Sequence, residues 1–409
     1  MTPAYLHREI AGRLRSAAAH LPVVVLSGLR QSGKSTLLQN EGELTEGFDY
    51  RTLDDFATLA AARSAPEGLL GGKVVLDEAQ RCPELLLALK KSVDEDRRNG
   101  RCFLSGSANL ALLAGVSETL AGRAGYYALR PMTRREQSGK ISSAPFLLSF
   151  METPVLPQKI PRVAPLADSE VFAGGLPPAC LNGREAADEW FRAYVQSYVE
   201  RDVRQLSQIT DLVAFQSLVR LVALRTAQVL AISSLARDAK LNAVTTGRWL
   251  DLMEASFLLW RLPPFLNNRT SRLIKSPKIY LEDSGLAAWL CGVRSFEDAT
   301  DSLLKGALYE TCLAQNLRAL LEARAPDARL FFWNEQGRHE VDFVIESGRS
   351  VFAMECKSAT RWDDADLSGL RAFLDRTPSC KAAILAYNGT TAVRLSERLF
   401  VIPLGLLLS

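Results

Sequence analysis

Long apolar runs are missing from this sequence. No stretch of its 409 residues approaches the roughly 18 needed to cross a bilayer, which excludes a helical membrane span. The N-terminal segment carries Arg8, Glu9, Arg13 and Arg15 and has no apolar core of a secretion signal. Cysteine is sparse. The seven (Cys82, Cys102, Cys180, Cys291, Cys312, Cys356, Cys380) are scattered, odd in number and form no CxxC pair. That argues against a disulfide framework or a structural zinc site and leaves most of them as small buried hydrophobes. Charge of one sign is also lacking. The formal net charge is +3, so the chain as a whole has no basic excess that would announce nucleic acid. No internal repeat is visible. These absences predict a soluble, cytoplasmic protein with no membrane attachment.

What is present is ordinary globular material, 47% hydrophobic and 23% charged. It suffices for several buried cores and excludes a disordered or collagen-like chain. The length predicts two or three domains. Residues 20–135 alternate short apolar segments (23–26, 74–76, 102–104) with helical stretches, the pattern of a parallel sheet with covering helices. Residues 139–179 are rich in Pro, Ser and Gly and read as an irregular connector. From 186 to 290 the period is helical, with Trp190, Tyr194 and Tyr198 at i, i+4 spacing. From about 303 a helix is followed by strands, another helix and more strands.

Gly28-Leu29-Arg30-Gln31-Ser32-Gly33-Lys34-Ser35 fits G-x-x-x-x-G-K-[ST] without a gap. An apolar strand precedes it, and Thr36 continues into a helix. Gly28 and Gly33 let the backbone curl so that amides face phosphate oxygens, and the helix start adds its positive end. Lys34 is placed to reach the β- and γ-phosphates, and the Ser35 hydroxyl to bind Mg2+. The segment 74–78 ends an apolar strand in Asp77 and Glu78. Asp77 is expected to hold the Mg2+ and Glu78 to polarise the attacking water. A third apolar segment runs into Ser105, Gly106, Ser107, Ala108 and Asn109. Ser105, Ser107 or Asn109 would lie beside the γ-phosphate if this strand neighbours the phosphate-loop strand; the alternative is a turn with a helix cap. Arg123 is a candidate arginine finger, acting in its own site or a neighbouring subunit's, or else a surface arginine.

The order GLRQSGKST, FDYRTLDD, VVLDEAQ, FLSGSAN, then AGR followed by LRPMT, resembles a group of prokaryotic AAA-type P-loop ATPases fused to a poorly characterised C-terminal region. The resemblance continues through FAGGLP, YVERDV, IYLEDSGL, GALYE and EVDFVIE…MECKS, nearly the whole chain. It implies an ATP- and Mg2+-dependent hydrolase.

The middle region reads as two helices (232–241 and 244–259) joined at Asn242, then strands at 257–262 and 278–281 flanking a loop with Arg269, Arg272 and Lys275. Helix–turn–helix plus hairpin describes a winged helix. Residues 192–275 hold 12 Lys/Arg against 6 Asp/Glu, a local charge of +6, as a DNA contact or a solvated face would require. In the C-terminal region Glu310 lies on a helix, Asp342 in one strand, Glu355 and Lys357 in the next. Asp…Glu-x-Lys with an upstream Glu resembles the restriction-endonuclease-like PD-(D/E)XK fold, which implies a divalent metal on Asp342 and Glu355, with Lys357 stabilising charge. His339 is adjacent.

The sequence thus predicts an α/β protein with four parts: a P-loop ATPase domain (1–138), a connector (139–185), a helical winged-helix domain (186–295) and a nuclease-like α/β domain (296–409). The expected function is ATP hydrolysis coupled to action on DNA. The alternative is a signalling or remodelling ATPase that binds a protein partner and cuts nothing. An arginine finger acting in trans would require a homo-oligomer.

Overall fold

The computed structural model describes residues 5–107, 120–197, 209, 211–266, 272, 275–294, 302–335 and 337–409. Asn109, Tyr198 and Arg269 lie outside the described residues. The chain divides into two compact units, residues 1–130 with 255–257, and residues 131–254 with 258–409. The first unit ends at Arg130, and the connector, middle and C-terminal regions fall together in the second.

The first unit runs α1 (Ala11–His20), β1 (Val23–Ser27), α2 (Lys34–Asn40), β2 (Asp49–Thr52), α3 (Phe56–Ser64), β3 (Val74–Asp77), α4 (Pro83–Glu95), β4 (Cys102–Gly106) and β5 (Ala124–Ala128). Its five strands are parallel in the order β2-β3-β4-β1-β5. Every residue of β1, β3 and β4 is buried. This explains their unbroken apolar runs, because a parallel sheet covered on both faces leaves no solvated side for polar alternation. On one face Val23, Val25, Leu76 and Leu104 pack against Leu85, Leu89 and Val93 of α4. The strand order puts β4 between β3 and β1, with Leu26 opposite Ser105. The C-terminal ends of β1, β3 and β4 therefore lie side by side.

The second unit contains α5 (Asp168–Ala173), α6 (Arg184–Ser197), α7 (Leu212–Leu224), β6 (Gln228–Val229), α8 (Ile232–Asp238), α9 (Ala243–Ala255), β7 (Leu259–Leu262), β8 (Lys278–Leu281) and α10 (Ser284–Leu290). Strands β6, β8 and β7 form a small antiparallel sheet with β8 central. There follow α11 (Ser302–Arg324), β9 (Arg329–Glu335), β10 (His339–Ser347), β11 (Ser350–Lys357), α12 (Ser368–Arg376), β12 (Cys380–Tyr387), β13 (Val393–Arg394) and β14 (Leu399–Pro403). These strands form a six-stranded sheet in the order β13-β14-β12-β11-β10-β9. The β11–β12 and β12–β14 pairs are parallel, and the others antiparallel. Leu370 and Phe373 of α12 cover one face, packing on Val344, Ala353, Leu385 and Val401. The β9–β10 register slips between Val341 and Val344, so a bulge falls on Asp342 and Phe343. Such an irregularity re-aims one side chain while the strand stays paired. Among the described residues no helix is long and apolar enough to cross a membrane.

Candidate functional site

The first candidate site grows from the turn that follows β1. Gly28 has φ +149°, and a Cβ there would stand 2.4 Å from the Leu129 carbonyl oxygen, so no side chain fits. Gly33 has φ +95° and caps α2 in the left-handed region. The Lys34 ammonium is buried and donates to the carbonyls of Gly28 and Leu29, both at 3.0 Å. The Ser32 hydroxyl is fully buried without a hydrogen-bond partner. Arg30 is half-buried, while Gln31, at φ +64°, and Thr36 are exposed.

Asp77 ends β3 and is 4% exposed. One carboxylate oxygen accepts the Ser35 hydroxyl at 2.7 Å and the Tyr50 hydroxyl at 2.5 Å. The other accepts the Ser105 hydroxyl and, at 3.0 Å, the Glu78 amide. Burial, and then the adjacent Asp77, push the Tyr50 phenol above its ordinary range. Glu78 stands in the left-handed region at φ +57°. Burial raises its carboxyl above the usual range, offset in part by Gln80 and Lys34. The Gln80 amide donates to Glu78 and, at 3.3 Å, to the Ser107 hydroxyl.

The structure therefore brings together Lys34, Ser35, Asp77, Glu78, Ser105 and Ser107. It does not bring Arg123 to them. Arg123 precedes β5, whose first residue pairs with Val23, at the far end of β1 from the glycine turn. Four strand steps at about 3.3 Å separate the two ends by roughly 13 Å. The guanidinium instead makes a two-pronged pair with Asp94 of α4, at 2.7 and 2.8 Å.

Sequence reasoning did not single out Tyr50, Gln80 or Arg8. Arg8 donates to the Ser32 carbonyl at 2.8 Å, bracing the turn from outside it. Gln80 had a signal, lying two residues after Glu78. Tyr50 had none without the strand order that sets β2 beside β3.

A ligand fit follows from the donor set. A turn of amides and an orphaned hydroxyl suits phosphate, and a hydroxyl paired with a carboxylate offers the hard oxygens that Mg2+ prefers.

The second candidate site is a carboxylate cluster in the second unit. Glu310 (α11), Asp342 (β10) and Glu355 and Lys357 (β11) do converge, around a residue the sequence did not flag. Lys278, first in β8, has a side chain only 3% exposed. Its ammonium lies 2.8 Å from Glu310, 2.9 Å from Asp342 and 2.7 Å from Glu340. Burial works against its charge, but Asp342 and then Glu310 outweigh it and hold the pKa well above the ordinary value. The second Asp342 oxygen accepts the Cys356 amide at 2.9 Å, and Tyr280 donates to Glu310 at 2.5 Å. Burial, then Asp342, push Glu310 up to about 8 and Glu355 well above the usual range. Lys357 lies 3.7 Å from Glu355 and 3.5 Å from Asp366. His339 is half-buried at the start of β10. Among the described residues no group of three or more His, Cys, Asp or Glu side chains is arranged to hold a metal ion.

Three domain families match the chain: an AAA domain over residues 20–138, a domain of unknown function (DUF8612) over 166–297, and a domain of unknown function (DUF4143) over 305–407. Two curated proteins are similar over almost the full length. They are "Uncharacterized protein Rv2008c" of Mycobacterium tuberculosis and "Uncharacterized protein Mb2031c" of Mycobacterium bovis. Each is 30% identical over 400 residues, covering 97% of this chain and 83% of the relative. Among solved structures, AMPPCP-bound DnaA from Aquifex aeolicus aligns with 60% of this chain and 85% of its own at 16% identity. Its TM-score of 0.26 is too low to establish a shared fold. The five-stranded parallel sheet, the glycine turn and the matched AAA domain make the N-terminal part an AAA-type P-loop ATPase domain, and the chain belongs to the same family as the two mycobacterial proteins.

Proposed function

We propose that the chain is a Mg2+-dependent ATP hydrolase that couples hydrolysis to action on DNA through its second unit. The observation that carries the first half is the Ser35–Asp77 pair at 2.7 Å beside the glycine turn, with Glu78 next in sequence. In this reading Gly28, Arg30, Gln31, Ser32, Gly33, Lys34, Ser35 and Thr36 receive the nucleotide. Lys34 exchanges the carbonyls of Gly28 and Leu29 for phosphate oxygens. Ser35 and Asp77 hold Mg2+, which when bound neutralises charge on the β- and γ-phosphates. Glu78 orients a water and accepts its proton as the water oxygen bonds to the γ-phosphorus. The bond to the β–γ bridging oxygen breaks, and ADP and phosphate leave. A carboxyl with raised proton affinity suits that base. Ser105 and Ser107 report the γ-phosphate to β4. Because Arg123 stands at the opposite end of its own sheet, its action as an arginine finger requires a neighbouring subunit, hence a homo-oligomer.

The coupling to DNA rests on charge and topology. Arg220, Arg237, Lys240, Arg248 and Lys275 are exposed. Arg225, Arg261 and Arg272 are instead engaged by Asp238, by Asp251 and Glu254, and by Glu346. The order of α7, β6, α8, α9, β7 and β8, with β8 central, supports reading the middle region as a winged helix. One observation favours the second reading, a remodelling ATPase that binds a protein partner and cuts nothing: the Lys278 ammonium within the carboxylate cluster.

The test is ATP hydrolysis by the wild type and Glu78→Gln, with and without duplex and single-stranded DNA. Hydrolysis should fall by about 10³-fold in Glu78→Gln. In the wild type it should rise with DNA, and the rise should fade steeply with salt. Indifference to DNA would move the reading to a protein partner. Mixing Arg123→Ala with Lys34→Ala chains tests the finger. Each alone should be inactive, and the mixture should regain activity at interfaces that pair an intact finger with an intact loop.

A further inference from the structure

The PD-(D/E)XK resemblance implies a divalent metal on Asp342 and Glu355, and the residues present do not fit one. The Asp342 oxygen such an ion would take is already 2.9 Å from the Lys278 ammonium, which also lies 2.8 Å from Glu310 and 2.7 Å from Glu340. The other Asp342 oxygen is taken by the Cys356 amide. The ammonium has no lone pair to offer an ion, and a divalent cation on the same carboxylate would stand against its positive charge. It would have to give up three carboxylates at 2.7–2.9 Å, and its own side chain is only 3% exposed.

We propose that Lys278 is the resident cation of this cluster, so that the C-terminal sheet binds no divalent metal, cleaves no DNA and uses its carboxylates to fasten β8 to α11 and β10. The ammonium stands at the start of the central strand of the small sheet, and its three partners come from α11 and β10 of the C-terminal sheet region. The site is thus a clamp between the middle and C-terminal regions of one unit. This inference is independent of the ATPase reading and removes only DNA cleavage from its outputs, because a clamp leaves the C-terminal sheet as a binding module.

The experiment measures Mn2+ binding by electron paramagnetic resonance on the full chain without nucleotide. An Asp77→Asn background removes the carboxylate ligand of the N-terminal site, so failure of the ATPase reading cannot mimic failure of this one. With Lys278 intact, the chain should leave Mn2+ free and duplex DNA uncut. Lys278→Ala should open a stoichiometric Mn2+ site that a further Asp342→Asn removes. Mn2+ bound with Lys278 present and lost in Asp342→Asn would overturn the proposal, as would a folded Lys278→Ala chain that binds none. Should Lys278→Ala not fold, Lys278→Met keeps the aliphatic stem. Its drop in melting temperature should shrink when Asp342→Asn is added, and additive drops would refute the clamp.

Discussion

Asp77 in the N-terminal sheet and Asp342 in the C-terminal sheet are both more than nine-tenths buried, and donors occupy both oxygens of each. The donors differ in kind. Asp77 is held by three hydroxyls, those of Ser35, Tyr50 and Ser105, and one backbone amide. Asp342 is held by an ammonium and a backbone amide. A hydroxyl is a donor and an acceptor on the same oxygen, so it can rotate and offer a lone pair to an incoming cation. An ammonium cannot. Two buried aspartates at strand positions are therefore different objects: one can admit a metal without breaking an ion pair, and the other already has its cation. A carboxylate on a strand says little about metal chemistry until the charge of its donors is known.

Paired substitutions give the largest expected effects. Asp77→Asn should lower ATP hydrolysis by about 10³-fold, because both the Mg2+ ligand and the acceptor for Ser35 are weakened. Its cost in stability should be small, since amide and hydroxyls can re-pair. Asp342→Asn should do the reverse. It strips a carboxylate from a buried ammonium, and breaking one side of such a pair costs about 3–5 kcal/mol. Urea unfolding of the second unit should show that loss while the hydrolysis rate of folded protein is unchanged. A metal-dependent role for the C-terminal cluster would appear as the opposite: Asp342→Asn tolerated in stability and deficient in DNA cleavage.

Next in size is pH dependence, which should run in opposite directions at the two places. Glu310 titrates at about 8 in the folded chain against 4.5 for an ordinary glutamate. A raised folded value means that its stabilising contribution is complete below pH 4.5 and is lost as pH climbs through about 8. Stability should therefore fall across that window, and Glu310→Gln should flatten the fall. Glu78 is also raised, but as a base it must lose its proton to work. Hydrolysis should therefore rise with pH, the opposite sign to the change in stability. Denaturant midpoints and initial rates at matched pH values would separate the two, and parallel profiles would tie both to one group.

How much of this was legible in the sequence follows from chain distance. The glycine turn, Lys34 and Ser35 are contiguous, and Asp77 and Glu78 end an apolar strand. Local pattern alone placed them, and the parallel sheet followed from unbroken buried strands. The nearness of Ser105 to the phosphate loop hung on an adjacency that no local pattern gives, and the order β3-β4-β1 supplied it. Lys278 lies 32 residues before Glu310 and 64 before Asp342, and it sat unnoticed in a segment read only as a hairpin strand. The Asp…Glu-x-Lys pattern marked Glu355 and Lys357 but could not show that a cation from another sheet reached their neighbours. Arg123 was legible as a residue type and misleading as a neighbour of its own phosphate loop, because only the register with Val23 reveals the end of the sheet it occupies.

The smallest effect belongs to Tyr50, and it probes the comparison most finely. Its hydroxyl shares the Asp77 oxygen that Ser35 also uses. If neutral, turnable donors are what keep Asp77 ready for Mg2+, then Ser35 must swing toward the ion while Tyr50 stays to orient the carboxylate. Outer-shell partners of metal ligands typically tune affinity by about 10- to 100-fold. Tyr50→Phe should therefore raise the Mg2+ concentration for half-maximal hydrolysis by about tenfold, leave the rate at saturating Mg2+ nearly intact, and barely move the melting temperature. Ser35→Ala should lose the saturating rate as well. A Tyr50→Phe chain with unaltered Mg2+ dependence would mean that the phenol only fills space beside β3, and that Ser35 and Ser105 alone set the readiness of Asp77.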